Sequence, residues 1–157
     1  VGRFWAGTMA YDLTPGAGVL YRLDTDGTIR AMAHGLTISN GIAWDPVREV
    51  FYVSNYDGAN RSRGTGLQSI SMISADGSRV ELDWVTGLYN PVGLAVDGDV
   101  LWAAESTGLA KIDIAAERVA ERYPAPRPGV PNDPAVDGDG TVYLSDSRCH
   151  RLMKARR

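Results

Sequence analysis

The chain has a single cysteine, Cys149, in 157 residues. That excludes an internal disulfide and any cysteine-built zinc site. Basic charge is also short: 16 Lys and Arg stand against 19 Asp and Glu, interspersed, for a net charge of −3. Nucleic acid and anionic membrane surfaces both require a basic face, so neither is expected as a partner. No apolar run approaches the roughly 20 residues of a membrane-spanning helix. No signal peptide is visible, although the chain starts at Val1 and not at Met, and the expected compartment is the cytoplasm. The triplet "NRS" at 60–62 fits a glycosylation acceptor, but such triplets are common by chance. Helical periodicity is almost missing. Only "IAAERVAER" (114–122) offers it, in a place where a turn between two strands is due.

What the chain does have is punctuation. Gly (18 residues) and Pro (8) recur every ten or so positions, and alternating runs lie between them: "VLYRLD" (19–24), "VFYVSN" (50–55), "SISMIS" (69–74), "VLWAAE" (100–105), "AKIDI" (110–114) and "TVYLSD" (141–146). Short runs rich in Val, Ile, Tyr and Trp between turn residues predict strands. "DTDG" (24–27), "SADG" (74–77) and "VDGDG" (136–140) read as hairpin turns. "DTDG" is no EF-hand loop, because Ala33 stands where that pattern needs Glu.

The runs also repeat. "RFWAGTM" (3–9), "VFYVSNY" (50–56), "VLWAAES" (100–106) and "TVYLSDS" (141–147) align, with Trp5, Tyr52, Trp102 and Tyr143 at spacings of 47, 50 and 41. All but the first follow a turn-plus-strand unit: "SNGIAWDP", "PVGLAVDGD" and "PNDPAVDGDG". Further strands are due at "TIRAMAHG", "RVELDWVTG" and "RVAERYPAP". A repeat of 40–50 residues with four short strands is a propeller blade. The expected fold is therefore all-β, a β-propeller of four-stranded antiparallel blades, with segments at about 1–35, 36–87, 88–126 and 127–157. The first unit lacks its opening strand and the last its closing one, which leaves about three and a half blades. Propellers close with more. Either the chain is part of a longer propeller or a homo-oligomer completes the ring. The four Trp residues, at 5, 44, 84 and 102, fall on strand positions and are expected to pack between blades.

In a propeller, the turn leading into each innermost strand lies at the rim of the central channel. The tips of these lead-ins are Asn40 in "ISNG", Asn90 to Val92 in "NPVG", and Asn132 with Asp133 in "PNDP". Amide and carboxylate oxygens converging from separate loops suit a hard divalent cation. The same residues also shape turns by bonding their own backbone, and the residue types alone leave both roles open. His34 and His150 have no serine partner in a nucleophilic pattern and are expected at the surface.

"GRFWAGTMA" (2–10), "GVLYRLDTDGTI" (18–29) and "LTISNGIAWDP" (36–46), in that order, resemble the gluconolactonase, regucalcin and senescence-marker-protein family. The likeness is tight over residues 2–56 and continues as blade repeats to about residue 147. It implies a six-bladed propeller that holds one divalent cation, Ca²⁺ first, with Mg²⁺, Mn²⁺ or Zn²⁺ as alternatives, and that hydrolyses sugar lactones. It makes Asn40, the Asn of the family's "SNG" motif, a metal ligand. The family's ligand Glu and its substrate-contacting "R-x-N-D-G" stretch would fall upstream of Val1. Its third ligand and general base, an Asp in "PDG", is matched here by Val92, which neither binds a metal nor moves a proton. Asn90, two residues away, offers an oxygen but no base. "VPNDPAVDGDGTVYLSD" (130–146) is similar to the lead-ins of strictosidine-synthase-like and paraoxonase-like propellers. Asp133 is accordingly the expected replacement carboxylate, as ligand and as general base, with Asn132 beside it. The competing expectation is a non-catalytic binding module of the NHL type, which Val92 would suit.

Overall fold

The computed structural model describes residues 2–56, 67–126 and 129–155. It contains fourteen strands in four antiparallel sheets and no helix among the described residues. The first sheet holds β1 (Phe4–Gly7), β2 (Gly18–Leu23) and β3 (Ile29–Leu36). The second holds β4 (Ile38–Asp45), β5 (Val50–Tyr56), β6 (Leu67–Ser74) and β7 (Val80–Tyr89). The third holds β8 (Leu94–Asp97), β9 (Val100–Glu105), β10 (Gly108–Asp113) and β11 (Arg118–Pro124). The fourth holds β12 (Pro131–Val136), β13 (Val142–Asp146) and β14 (Arg151–Ala155). In each sheet the strands lie in chain order, as in a propeller blade. The "IAAERVAER" stretch is a turn at 114–117 followed by β11.

The core is divided among the sheet-to-sheet junctions. Leu20, Leu36, Val53 and Ile73 pack between the first and second sheets. Tyr52, Ile70, Leu101 and Ile112 pack between the second and third. Trp102, Leu109, Val142 and Leu144 fill the junction with the fourth. Period-two alternation makes this possible, because successive side chains on a strand face opposite neighbours. On β9, Leu101 and Ala103 face the second sheet while Trp102 and Ala104 face the fourth. A sheet buried on both faces in this way is a blade, and the fold is part of a β-propeller.

Hairpins close where the Asp-Gly turns predict. Gly27, Gly77 and Gly140 have φ of 85°, 80° and 74°, a region open to Gly at no steric cost. Asp26 and Asp76 Oδ1 each accept the backbone N–H two residues on, at 2.9 Å. Three tryptophans pack between blades as expected: Trp5 of the first sheet lies on Phe51 of the second at 4.3 Å between ring centroids, Trp84 belongs to the cluster between the second and third sheets, and Trp102 to the cluster at the junction with the fourth. Trp44 corrects the expectation. It lies near the C-terminal end of β4, 41% exposed, and its ring contact is with Phe51 of its own sheet, at 4.6 Å between centroids. There is no helix long and apolar enough to cross a membrane among the described residues.

Candidate functional site

Each innermost strand is irregular where it begins. On β4 the pairing with β5 breaks between Ser39 and Ile42, so Asn40 and Gly41 bulge out of the ladder. On β12 it breaks between Pro131 and Pro134, releasing Asn132 and Asp133. β8 starts its ladder at Leu94, just after Val92 and Gly93. Bulges re-aim side chains and are common beside functional sites. Aligned on these irregularities, Asn40, Val92 and Asn132 occupy one position of the repeat, and Gly41, Gly93 and Asp133 the next.

The three lead-ins run side by side. A Cβ on Gly41 would run into the Val92 carbonyl, and one on Gly93 into Asn132 and Asp133. Only glycine permits backbones to approach this closely. Between the first two lead-ins stands the Ser54 hydroxyl, fully buried. It accepts the Gly41 N–H at 2.7 Å and donates to the Val92 carbonyl at 2.7 Å. At the next junction Ala104 takes that repeat position, and the Gly93 N–H donates directly to the Asn132 carbonyl at 2.8 Å. In the fourth sheet Ser145 returns the hydroxyl, whose Oγ accepts the Asp133 N–H at 2.9 Å.

A second repeat position holds the crossovers between sheets. Asn55 Oδ1 accepts the Thr37 N–H at 2.8 Å, Glu105 Oε1 the Tyr89 N–H at 2.8 Å, and Asp146 Oδ1 the Val130 N–H at 2.9 Å. The two carboxylates are buried and each is neutralised by an arginine, Arg122 for Glu105 and Arg151 for Asp146. The Val130 N–H, with further N–H donors from Cys149 and Arg148 and the Arg151 guanidinium, holds the Asp146 carboxyl down to about 2. Sequence reasoning missed these residues. Their signal is a side chain able to accept a hydrogen bond at the sixth place of each aligned run.

The candidate ligands are placed as follows. Asn40 is exposed. Its backbone is outside the left-handed region, and its side chain makes no hydrogen bond among the described residues. Asn132 is half-buried and donates from Nδ2 to Asp133 Oδ2 at 2.9 Å, while Asp133 is exposed. Asn90 stands apart. Its φ is 52°, and its buried Oδ1 has no partner among the described residues. Left-handed backbone of this kind is characteristic of a turn-forming asparagine. Val92 is half-buried against the Trp102 cluster. His34 and His150 are exposed. No group of three or more His, Cys, Asp or Glu stands together among the described residues.

The donor set at the lead-ins is thus two amides and one carboxylate, all oxygen. It fits a hard cation, with little negative charge. The Asn132–Asp133 hydrogen bond commits the amide nitrogen to the carboxylate, so the amide oxygen and Asp133 Oδ1 remain to face other groups.

Blades packed face to face, with the irregular starts of their inner strands side by side, define part of a β-propeller. Residues 1–126 match the SMP-30/Gluconolactonase/LRE-like region, and the chain belongs to that family. It is 31% identical over 131 residues to the pentonolactonase XacC of Haloferax volcanii, covering 75% of this chain and 44% of that protein. Among solved structures, a gluconolactonase from Xanthomonas campestris superposes with a TM-score of 0.69 at 20% identity, covering 92% of this chain and 50% of the other. Regucalcin from Agrobacterium tumefaciens, a calcium-binding protein, gives 0.67 at 21%, with coverage of 94% and 50%. The chain therefore spans about half the length of these relatives. At such identities the likeness to the solved structures is one of fold.

Proposed function

We propose that this chain is part of a divalent-cation-dependent lactonase, acting on sugar lactones at the channel rim. One observation carries the reading: Asn40 presents an exposed amide that neither shapes a left-handed turn nor bonds its own backbone. The turn-forming role therefore has no support at this residue, while a ligand role needs an unengaged oxygen. The family membership and the pentonolactonase relative support the substrate class.

In this reading Asn40, Asn132 and Asp133 hold the cation through side-chain oxygens. When bound, such a cation polarises a lactone carbonyl and lowers the pKa of water. Asp133 is the one titratable group among the three and acts as general base. Its Oδ1 takes a proton from the attacking water and returns it to the ring oxygen as the ester C–O bond breaks. Asn132 Nδ2 holds Oδ2 meanwhile, and Ser145 fixes the Asp133 backbone. Asn90, two residues from Val92, is a reserve oxygen donor if its turn opens.

The test is hydrolysis of γ- and δ-lactones by the chain after chelation and resupply with Ca²⁺, Mg²⁺, Mn²⁺ or Zn²⁺. Restored turnover with one of them is expected. No turnover with any metal sinks the reading that this chain alone holds a working site, and leaves a fragment that needs the residues upstream of Val1 or the second reading, a binding module. That alternative rests on Val92, which puts a packed apolar side chain in the middle lead-in.

A further inference from the structure

Away from the channel, the outer part of the second sheet opens into a cleft against the first. Its volume is about 450 Å³, inside the roughly 300–1,000 Å³ typical of small-molecule sites. Two bulges in β7 form it. The β6–β7 register shifts between Gln68 and Ile70 and again between Ile70 and Met72, leaving Ser69 and Ser71 opposite the displaced backbone. The displaced residues include Gly87, with φ of 81°, and Asp83, with φ of 56°. For a non-glycine residue that conformation costs of order 1 kcal/mol or more and persists only where the surroundings hold it.

The lining is unusual for a gap between packed sheets. Asn55, Gln68, Ser69, Ser71 and Thr86 all contribute to it. Ser71 is 1% exposed, and its hydroxyl has no hydrogen-bond partner among the described residues. A buried hydroxyl left unsatisfied costs about 1–3 kcal/mol, so a group that binds it is favoured. Asp83 is the one charged residue on the wall among the described residues, and no cation accompanies it. An anion would meet an uncompensated carboxylate there. An apolar ligand would strand the hydroxyls and amides.

We infer that this cleft is a second site, which binds a neutral polyhydroxylated molecule such as a free sugar. It takes hydroxyl groups on Ser71, Ser69 and Thr86 and disfavours sugar acids through Asp83. The inference does not depend on the lactonase reading, since none of Asn40, Asn132 and Asp133 lines the cleft.

The experiment is calorimetric titration of D-glucose, D-xylose and D-gluconate in the presence of a chelator. Saturable binding of the neutral sugars is expected, with gluconate weaker by roughly 2–5-fold, the size expected when an exposed carboxylate faces a like charge. Ser71→Ala and Thr86→Val should each lower sugar affinity by roughly 3–10-fold, the worth of one hydrogen bond. Ser71→Ala removes a hydroxyl that bonds nothing in the described protein, and Thr86 is exposed, so both variants should fold. Absence of saturation, equal affinity for gluconate, or unchanged affinity in both variants overturns the assignment. So does loss of sugar binding in Asp133→Asn with Ser71→Ala unaffected, which would put the sugar at the channel rim.

Discussion

Replacing Ser54 by alanine tests whether the lead-ins are spaced by a hydroxyl. Ser54 Oγ makes two hydrogen bonds, each 2.7 Å long, to backbone groups on different sheets. If Gly41 N–H and Val92 C=O could close on each other as Gly93 and Asn132 do, the loss would be about 1 kcal/mol, one net hydrogen bond. The cores on both sides of the second sheet oppose that movement, since packed interiors do not slide freely. Both groups then stay unpaired, and the cost is about 2–4 kcal/mol. The reciprocal change, Ala104→Ser, forces a hydroxyl into a place closed by the direct Gly93–Asn132 bond, and should cost about 1–3 kcal/mol. Urea unfolding of the two variants and the parent, with coincident circular dichroism and tryptophan fluorescence transitions and a common m-value, gives both numbers. Ser54→Ala within about 0.5 kcal/mol of the parent, or a stabilising Ala104→Ser, would refute the reasoning.

Other outcomes are expected at the rim and at the crossovers. Asn40→Ala should weaken divalent-ion binding at least about tenfold, the loss of one charge-assisted contact, while leaving the unfolding midpoint unchanged. An unaltered affinity by titration calorimetry would remove Asn40 from the site. Asp133→Asn should lower turnover far more than metal affinity, and equal losses would make it a ligand and not a base. For Asp146 the folded carboxyl titrates at about 2, below its unfolded value near 4. The unfolded chain therefore binds the proton first, and the stabilisation is complete above about pH 4 and lost as pH falls towards 2. Melting temperature against pH should fall more steeply over that range in the parent than in Asp146→Asn, and parallel curves would contradict the assignment.

The blade repeat was legible because the physics behind it is local. Asp-Gly turns set the hairpins, and alternation on runs such as "VLWAAE" decides which residue meets which neighbouring sheet. The aromatic residues at a spacing of 41 to 50 marked the second strand of each unit. The rim was legible as a set of positions, since the same pattern aligns Asn40, Val92 and Asn132. The conformation at each position was not. Asn40 and Asn90 both sit beside a lead-in, yet only Asn90 is left-handed. That difference depends on how each crossover leaves the preceding sheet. Trp44 was misjudged because alternation gives the face of a strand but not how far along it the neighbouring sheet reaches. The β7 cleft was invisible, because its bulges arise from pairing with β6 and leave no motif in the sequence.

The crossover-holding residues also bear on how the chain folds. Asn55, Glu105 and Asp146 reach partners only 18, 16 and 16 residues back along the chain. A propeller junction brings together residues a whole blade apart, a separation that slows folding through loop-closure entropy. Each of these side chains closes a loop less than half that long and fixes where the next inner strand begins. Once one sheet exists, its successor is nucleated next to it, and order spreads along the chain from neighbour to neighbour, as in other repeat proteins. A substitution at one of the three should slow formation of its own sheet and leave those before it at their normal rate.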